Sequence, residues 1–171
     1  MKAKVRALII LSLLCVILGA LYAFLPGEKT ASGPESENAF LITDIPVSEL
    51  LALAITNRHG SLGILNSPGG IRAVSDTQGD YDLSQLRALV YLACHLTGRP
   101  LDIRAEADDI ANSLARFSLI LTGGREYYFA VLRQSPVNED YFLFSEEAQA
   151  VFLVSGSEAQ WFLKGAEDFL E

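Results

Sequence analysis

Cysteine and histidine are scarce in this chain, and their scarcity excludes several classes of protein. The sequence holds two cysteines and two histidines. Cys15 lies inside an apolar run and Cys94 lies far from it, so the sequence predicts no internal disulfide framework. This composition fits a bacterial envelope protein better than a small secreted module stapled by disulfides. So few cysteines and histidines also do not make the ligand set of a zinc site.

Basic residues are few as well. Lys and Arg number 13 against 21 Asp and Glu, which gives a formal net charge of −8. Lys2, Lys4 and Arg6 stand at the amino terminus, so the remainder of the chain is even more acidic. Nucleic-acid binding and adsorption on anionic lipid both need a positive face. We therefore expect no nucleic-acid partner for the acidic part of the chain, and we expect its surface to be well solvated.

Catalytic motifs are missing too. Cys94 and His95 are neighbours on a predicted helix, where adjacent side chains point about 100° apart and do not face each other. His59 follows Arg58 in a turn, and a lone turn histidine is typically solvated. The glycine-rich stretches GSLG and SPGG match neither a phosphate loop nor a nucleophile elbow. We predict that the protein is not an enzyme and needs no cofactor.

The clusters of carboxylates in the sequence do not match known metal-binding or catalytic patterns. Asp76, Asp80 and Asp82 do not have the spacing of an EF-hand calcium loop. Asp108 and Asp109 are sequence neighbours, which are rarely held at the separation that a glycosidase needs. We expect turn and helix-capping roles for the first group, a solvated loop for the second, and no metal site.

A long uncharged apolar run covers residues 7–25. As a helix it would be roughly 28 Å long, close to the thickness of the hydrocarbon core of a bilayer. Lys2, Lys4 and Arg6 precede it, and basic residues favour the cytoplasmic side. Residues 1–25 are therefore predicted to be a cytoplasmic amino terminus and a single transmembrane helix in the bacterial cytoplasmic membrane, with the rest of the chain outside.

Two alternatives remain for this leader. A cleaved signal peptide has a shorter apolar core and small residues before the cut, and Leu21 and Ala23 fit that pattern poorly. Lipid attachment needs a small residue just before the cysteine, whereas Cys15 follows two leucines. Residues 26–39, rich in Pro, Gly, Ser and Glu, are predicted to be a flexible linker.

Residues 40–171 are predicted to form one α+β domain, an antiparallel sheet with two packed helices. FLITDI is predicted to be a short strand or an extended entry. Strand patterns occur at LALAITN, SLGILNS and IRAVS, then at RFSLILT and REYYFAVLR around Gly123-Gly124, and at YFLFS and AVFLVS. A first helix is expected from Asp82 to about Thr97-Gly98, and a second from a capping box at Ser157 and Gln160. The stretch LDIRAEADDIANSLA is ambiguous.

The segments ITDIPVSELLALAITNRHGSLGILNSPGG and NEDYFLFSEEAQAVFLVSGSEAQWFLKGAEDFL resemble a bacterial envelope family called domain of unknown function 4340. The resemblance covers about residues 40–171. It implies a strand pair, a helix, a β meander and a final helix, often behind a membrane anchor and beside ABC-type transporter components. The stretch ADDIANSLARF departs from the family pattern, since it lacks the Tyr-Gly-Leu and proline that members often carry before the central strand.

Aromatic residues give the candidate partner surface. Tyr127, Tyr128 and Trp161 lie in the second half of the chain, and strand alternation places one of the two tyrosines outward. An outward aromatic row is typical of docking surfaces. We expect a membrane-anchored, extracytoplasmic accessory or interaction domain, with an integral membrane transporter-like complex as its partner; the alternative is a module that binds a glycan, lipid or peptide.

Overall fold

The computed structural model describes residues 40–171, which form an α+β fold built on one large antiparallel sheet of nine strands. The strands are β1 (Phe40–Leu41), β2 (Leu50–Asn57), β3 (Gly60–Ser67), β4 (Gly70–Val74), β5 (Thr97–Leu101), β6 (Ala115–Leu121), β7 (Glu126–Gln134), β8 (Tyr141–Ser145) and β9 (Ala150–Val154). The α-helices are α1 (Leu83–Cys94), α2 (Ala107–Ala111) and α3 (Gly156–Leu163), with short 3-10 helices at Val47–Glu49 and Ala166–Phe169.

The sheet joins two meanders. Its strand order is β1-β5-β9-β8-β7-β6-β2-β3-β4, so the β2–β4 meander and the β6–β9 meander meet where β2 pairs with β6. The predicted pairs β2–β3, β3–β4, β6–β7 and β8–β9 are confirmed, and β7 also pairs with β8. At the β6–β7 turn Gly124 has φ +78°, a left-handed conformation that glycine adopts without strain.

One face of the sheet carries the main core. Leu53, Ile64 and Leu119 are fully buried and lie side by side in the β2, β3 and β6 register. Helices α1 and α3 pack on this face. The ring of Phe162 in α3 stacks on Phe117 of β6 with centroids 4.0 Å apart. The helices therefore remove the most apolar side of the sheet from water.

The two helix starts differ in how well the sequence predicted them. Asp82 is the N-cap of α1 as expected, and its side chain accepts hydrogen bonds from the backbone N–H groups of Ser84 and Gln85. The cap of α3 is Ser155, whose Oγ accepts from the N–H of Glu158, so the predicted cap at Ser157 is wrong. Ser155 and Ser157 are each followed three residues later by Glu or Gln, as in a capping box. Because β9 ends at Val154, the helix begins directly after Ser155.

Helix α1 ends earlier than predicted. It stops at Cys94 instead of Thr97-Gly98, because Thr97–Leu101 forms β5 and pairs with β9 and β1. The buried hydroxyl of Thr43 closes this junction: it donates to the Ala93 carbonyl at 2.9 Å and accepts from the Leu96 N–H at 2.8 Å. In FLITDI, predicted as a short strand or an extended entry, the strand is Phe40–Leu41, and the residues after it donate to the carbonyls of Cys94 and Leu96 at the end of α1.

A third α-helix corrects the expectation of two. The ambiguous stretch contains α2, which lies on the sheet face opposite α1 and α3. Arg116 of β6 points to that face and holds the helix end, because its Nη2 donates to the carbonyls of Ile110 and Ala111 at 2.9 and 2.8 Å. Ala130 and Val151 are buried beneath this side of the sheet.

The predicted anchor and linker, residues 1–25 and 26–39, lie outside the described residues. Within residues 40–171, none of the helices has the length and apolarity needed to cross a bilayer.

Candidate docking surface

Half of the second sheet face has no described element packed on it. Successive side chains of a strand point to opposite faces, so the positions of β2, β3, β4, β6 and β7 that alternate with the core residues point to this second face. Helix α2 covers only the β7 side of this face. We call the uncovered part the open face and define it by two cross-strand rows. The first row is Arg72, Leu65, Ala52, Ile120 and Glu126; the second is Val74, Gly63, Ala54, Ser118 and Tyr128.

The open face exposes large apolar side chains at its flanks. Leu65, Val74 and Tyr128 are 43%, 53% and 46% exposed. Leu65 and Val74 adjoin on β3 and β4, whereas Tyr128 stands on β7, beyond the smaller residues of β2 and β6. Contiguous exposed apolar patches on soluble domains mark interaction sites more often than isolated ones do.

The centre of the open face is made of small residues. Ala52 and Ala54 of β2 lie between Gly63 of β3 and Ser118 of β6 in the strand register. Another surface can therefore come close to the backbone of the sheet along β2. Leu65 and Tyr128 then stand on either side as larger side chains.

Opposite charges mark the two ends of the first row. Arg72 stands on the edge strand β4, and Glu126 stands on β7, four strand spacings or about 19 Å away. Within the described residues the only ion pair joins Arg125 and Glu147, so Arg72 has no acidic partner there. Glu126 accepts a hydrogen bond from the Tyr128 hydroxyl, which orients both side chains on the open face.

The three aromatic residues predicted as a partner surface do not lie together. Tyr128 belongs to the open face. Tyr127 is half-buried against the core on the other side, with the guanidinium of Arg125 4.7 Å from its ring centre. Trp161 packs against the core from α3, with Lys164 Nζ 4.1 Å from its ring centre. Strand alternation anticipated that the two tyrosines diverge, and the β6–β7 register shows which one faces out.

The other candidate residues occupy structural positions. Cys94 is fully buried, and burial raises the pKa of its thiol to about 11, as expected for a packed side chain. The Ser84 hydroxyl, followed by Gln85, lowers the pKa of Asp82 to about 2, which agrees with its capping role. Exposed His59 accepts a hydrogen bond from Arg58 Nε at 3.0 Å. Among residues 40–171, no group of three or more His, Cys, Asp or Glu side chains is placed to hold a metal ion.

A shallow cleft was not anticipated. It has a volume of about 250 Å³ and lies between α2 and β7, where Asp108, Asp109 and Asn112 face Leu132 and Arg133. The Asp109 carboxylate is partly engaged, since it accepts from the backbone N–H of Glu106 at 3.2 Å. The sequence predicted that these carboxylates lie in a solvated loop. Their proximity to Arg133 could not be predicted, because Arg133 is far from them in the chain.

Comparisons with protein-family models, with curated proteins and with solved structures find no match to this chain. The resemblance described above therefore stays a prediction, and the case for function depends on the surfaces of the described domain.

Proposed function

We propose that this protein is a membrane-anchored docking domain, held outside the bacterial cytoplasmic membrane, whose open face binds a protein surface. The observation that carries the proposal is the uncovered part of the second sheet face, with Leu65, Val74 and Tyr128 exposed at its two flanks. Burying such side chains contributes roughly 25 cal/mol for each Å² of apolar area removed from water.

The sequence supports the membrane part of the proposal. The uncharged run at residues 7–25 is long enough to span a bilayer, and the basic residues before it favour an amino terminus inside. Residues 26–39 have the Pro-, Gly-, Ser- and Glu-rich composition of a linker, and a linker of this length spans roughly 20 Å. The family resemblance suggests a transporter-like membrane complex as the setting for docking.

The test places a photoreactive phenylalanine analogue at position 128 of the full-length chain in intact membranes. The matched control places the same analogue at Tyr91, which is 62% exposed on α1 and so lies on the opposite side of the sheet. The proposal predicts a discrete protein adduct from position 128 and none from position 91. Adducts of equal yield at both positions, or none at position 128, would overturn it.

The cleft favours one second candidate function, a ligand-binding module. Arg133 beside Asp108 and Asp109 offers charges of both signs around an apolar wall at Leu132, which suits a small zwitterionic ligand such as an amino acid or short peptide. Arg133→Ala would then abolish the thermal stabilisation produced by that ligand. If a ligand screen on the full-length chain gives no shift in melting temperature, this candidate is excluded.

A further inference from the structure

We propose that the partner of the open face is the same face of a second copy of this chain, arranged about a twofold axis. This inference rests on the proposed docking function and names its occupant. It begins from the charge pattern of the first row, which runs from Arg72 through Leu65, Ala52 and Ile120 to Glu126.

The first row is complementary to a copy of itself that runs in the opposite direction across the strands. A twofold axis parallel to β2 and midway between two stacked sheets produces that copy: it places β4 over β7 and β3 over β6, and each row stays at the same position along the strands. Arg72 then lies over Glu126 of the second copy, and Glu126 lies over its Arg72. Leu65 lies over the second copy's Ile120. An interface in which the same patch meets itself is the usual arrangement of homodimers.

The second row obeys the same operation. Val74 lies over Tyr128 of the second copy, so an exposed apolar side chain covers an exposed aromatic one. Gly63 lies over Ser118, and both are small. Ala54 sits on the axis and meets its own copy, as Ala52 does in the first row. Face-to-face sheets pack with their strands within about 30° of each other, which this axis satisfies.

The charges also select this axis over the alternative. A twofold axis lying across the strands would stack β4 on β4, and Arg72 would then approach Arg72 of the second copy. Juxtaposed like charges cost several kcal/mol at an interface. The pattern therefore specifies one arrangement of the two copies as well as the face that they use.

The contact is small, so we expect weak association that membrane confinement strengthens. Two rows across five strands cover less area than the roughly 800 Å² per partner of a standard stable interface. Anchoring both copies in one membrane raises their effective concentration and compensates for low intrinsic affinity. The test is therefore made on the full-length chain in its own membrane.

The experiment uses Ala54→Cys in a Cys15→Ser background with a short bismaleimide cross-linker. Cys94 is fully buried and does not compete. The matched control is Ala88→Cys, another exposed alanine, placed on α1 on the far side of the sheet. We expect a covalent dimer of this chain from Ala54→Cys and none from Ala88→Cys.

Charge reversal then tests the twofold arrangement. Arg72→Glu and Glu126→Arg should each lower the cross-linked fraction by about tenfold, and the double reversal should restore most of it. The two residues are about 19 Å apart within one chain, too far to couple directly, so recovery must come from contact between copies. Because both side chains are exposed, the circular dichroism spectrum of each variant should match that of the parent chain.

Absence of a dimer from Ala54→Cys, equal dimer from Ala88→Cys, or failure of the double reversal to recover would overturn the inference. The proposed function fails separately. If the photoreactive group at position 128 captures only a different protein, docking stands and self-association is wrong. If it captures nothing, both are wrong.

Discussion

At the residue scale, the buried Thr43 and the half-buried Asn57 join elements that are distant in the chain. Thr43 connects the segment after β1 to the end of α1, and Asn57 connects the β2–β3 turn to the end of α3. The Asn57 amide donates to the carbonyls of Phe162 and Lys164 at 3.1 and 2.7 Å. Within the described residues no buried side-chain nitrogen or oxygen lacks a partner. The Thr43 hydroxyl is costly to remove because its hydrogen bonds are buried.

Thr43→Val is predicted to destabilise the domain by about 1–3 kcal/mol. The change keeps the shape of the side chain but leaves the Ala93 carbonyl and the Leu96 N–H without their hydrogen bond in a buried place. Thr43→Ser is the control, since it keeps the hydroxyl and loses one methyl group. Urea unfolding followed by circular dichroism measures both. Equal destabilisation by valine and serine would show that the hydroxyl is not what matters.

Sequence reasoning at this scale succeeded where the interaction is local. Asp82 was recognised as a cap because the N–H groups that donate to its carboxylate, those of Ser84 and Gln85, lie within three residues. Thr43 was not singled out, because its partners are about 50 residues away and nothing in FLITDI marks them. Tyr127 and Tyr128 were predicted in part. Strand alternation predicts that their side chains point to opposite faces, and only the pairing of β7 with β6 shows which of them faces out.

At the scale of elements, strands with regular alternation were predictable and elements defined by distant pairing were not. RFSLILT and LALAITN alternate and became β6 and β2. β5 has the sequence TGRPL, whose glycine and proline are poor strand formers, and it is a strand because β9 and β1 flank it. A Cβ at Gly98 would lie 2.8 Å from Ile42 Cδ1 and 3.0 Å from the Leu153 carbonyl oxygen, so this glycine is required by close packing.

The cap of α1 gives the domain a pH dependence in the acid range. Hydrogen bonds from Ser84 and Gln85 lower the folded pKa of Asp82 from 3.8 to about 2. A carboxylate whose pKa is depressed on folding stabilises the folded state above its unfolded pKa, and that contribution disappears as the pH falls towards its folded pKa. The free energy of unfolding of the parent chain minus that of Asp82→Asn should therefore be constant above pH 5. It should decrease as the pH falls from 3.8 to about 2.

Urea midpoints at pH 6, 3 and 2 measure this effect. Asp80→Asn is the matched control, since it removes a neighbouring carboxylate that does not cap α1. A difference for Asp82→Asn that stays unchanged down to pH 2 would contradict the capping account.

At the scale of the whole molecule, the distribution of helices over the sheet decides what is left for function. Helices α1 and α3 fill one face, and α2 covers only the β7 side of the other. The sequence predicted a sheet with two packed helices, and the open face could not be foreseen from it. Its existence depends on the position of α2, which Arg116 holds through the carbonyls of Ile110 and Ala111.

The measurement that tests the central claim most directly is the rate at which a maleimide labels Ala54→Cys and Ala88→Cys in full-length chains. Each rate is measured in native membranes and again after purification and dilution in mild detergent, with the Cys15→Ser background in both. Both positions are exposed in the isolated domain. If the open face is a docking surface, labelling at position 54 is several-fold slower in membranes than after dilution, and labelling at position 88 is unchanged. If the two positions respond alike, the open face is not occupied and the account is wrong.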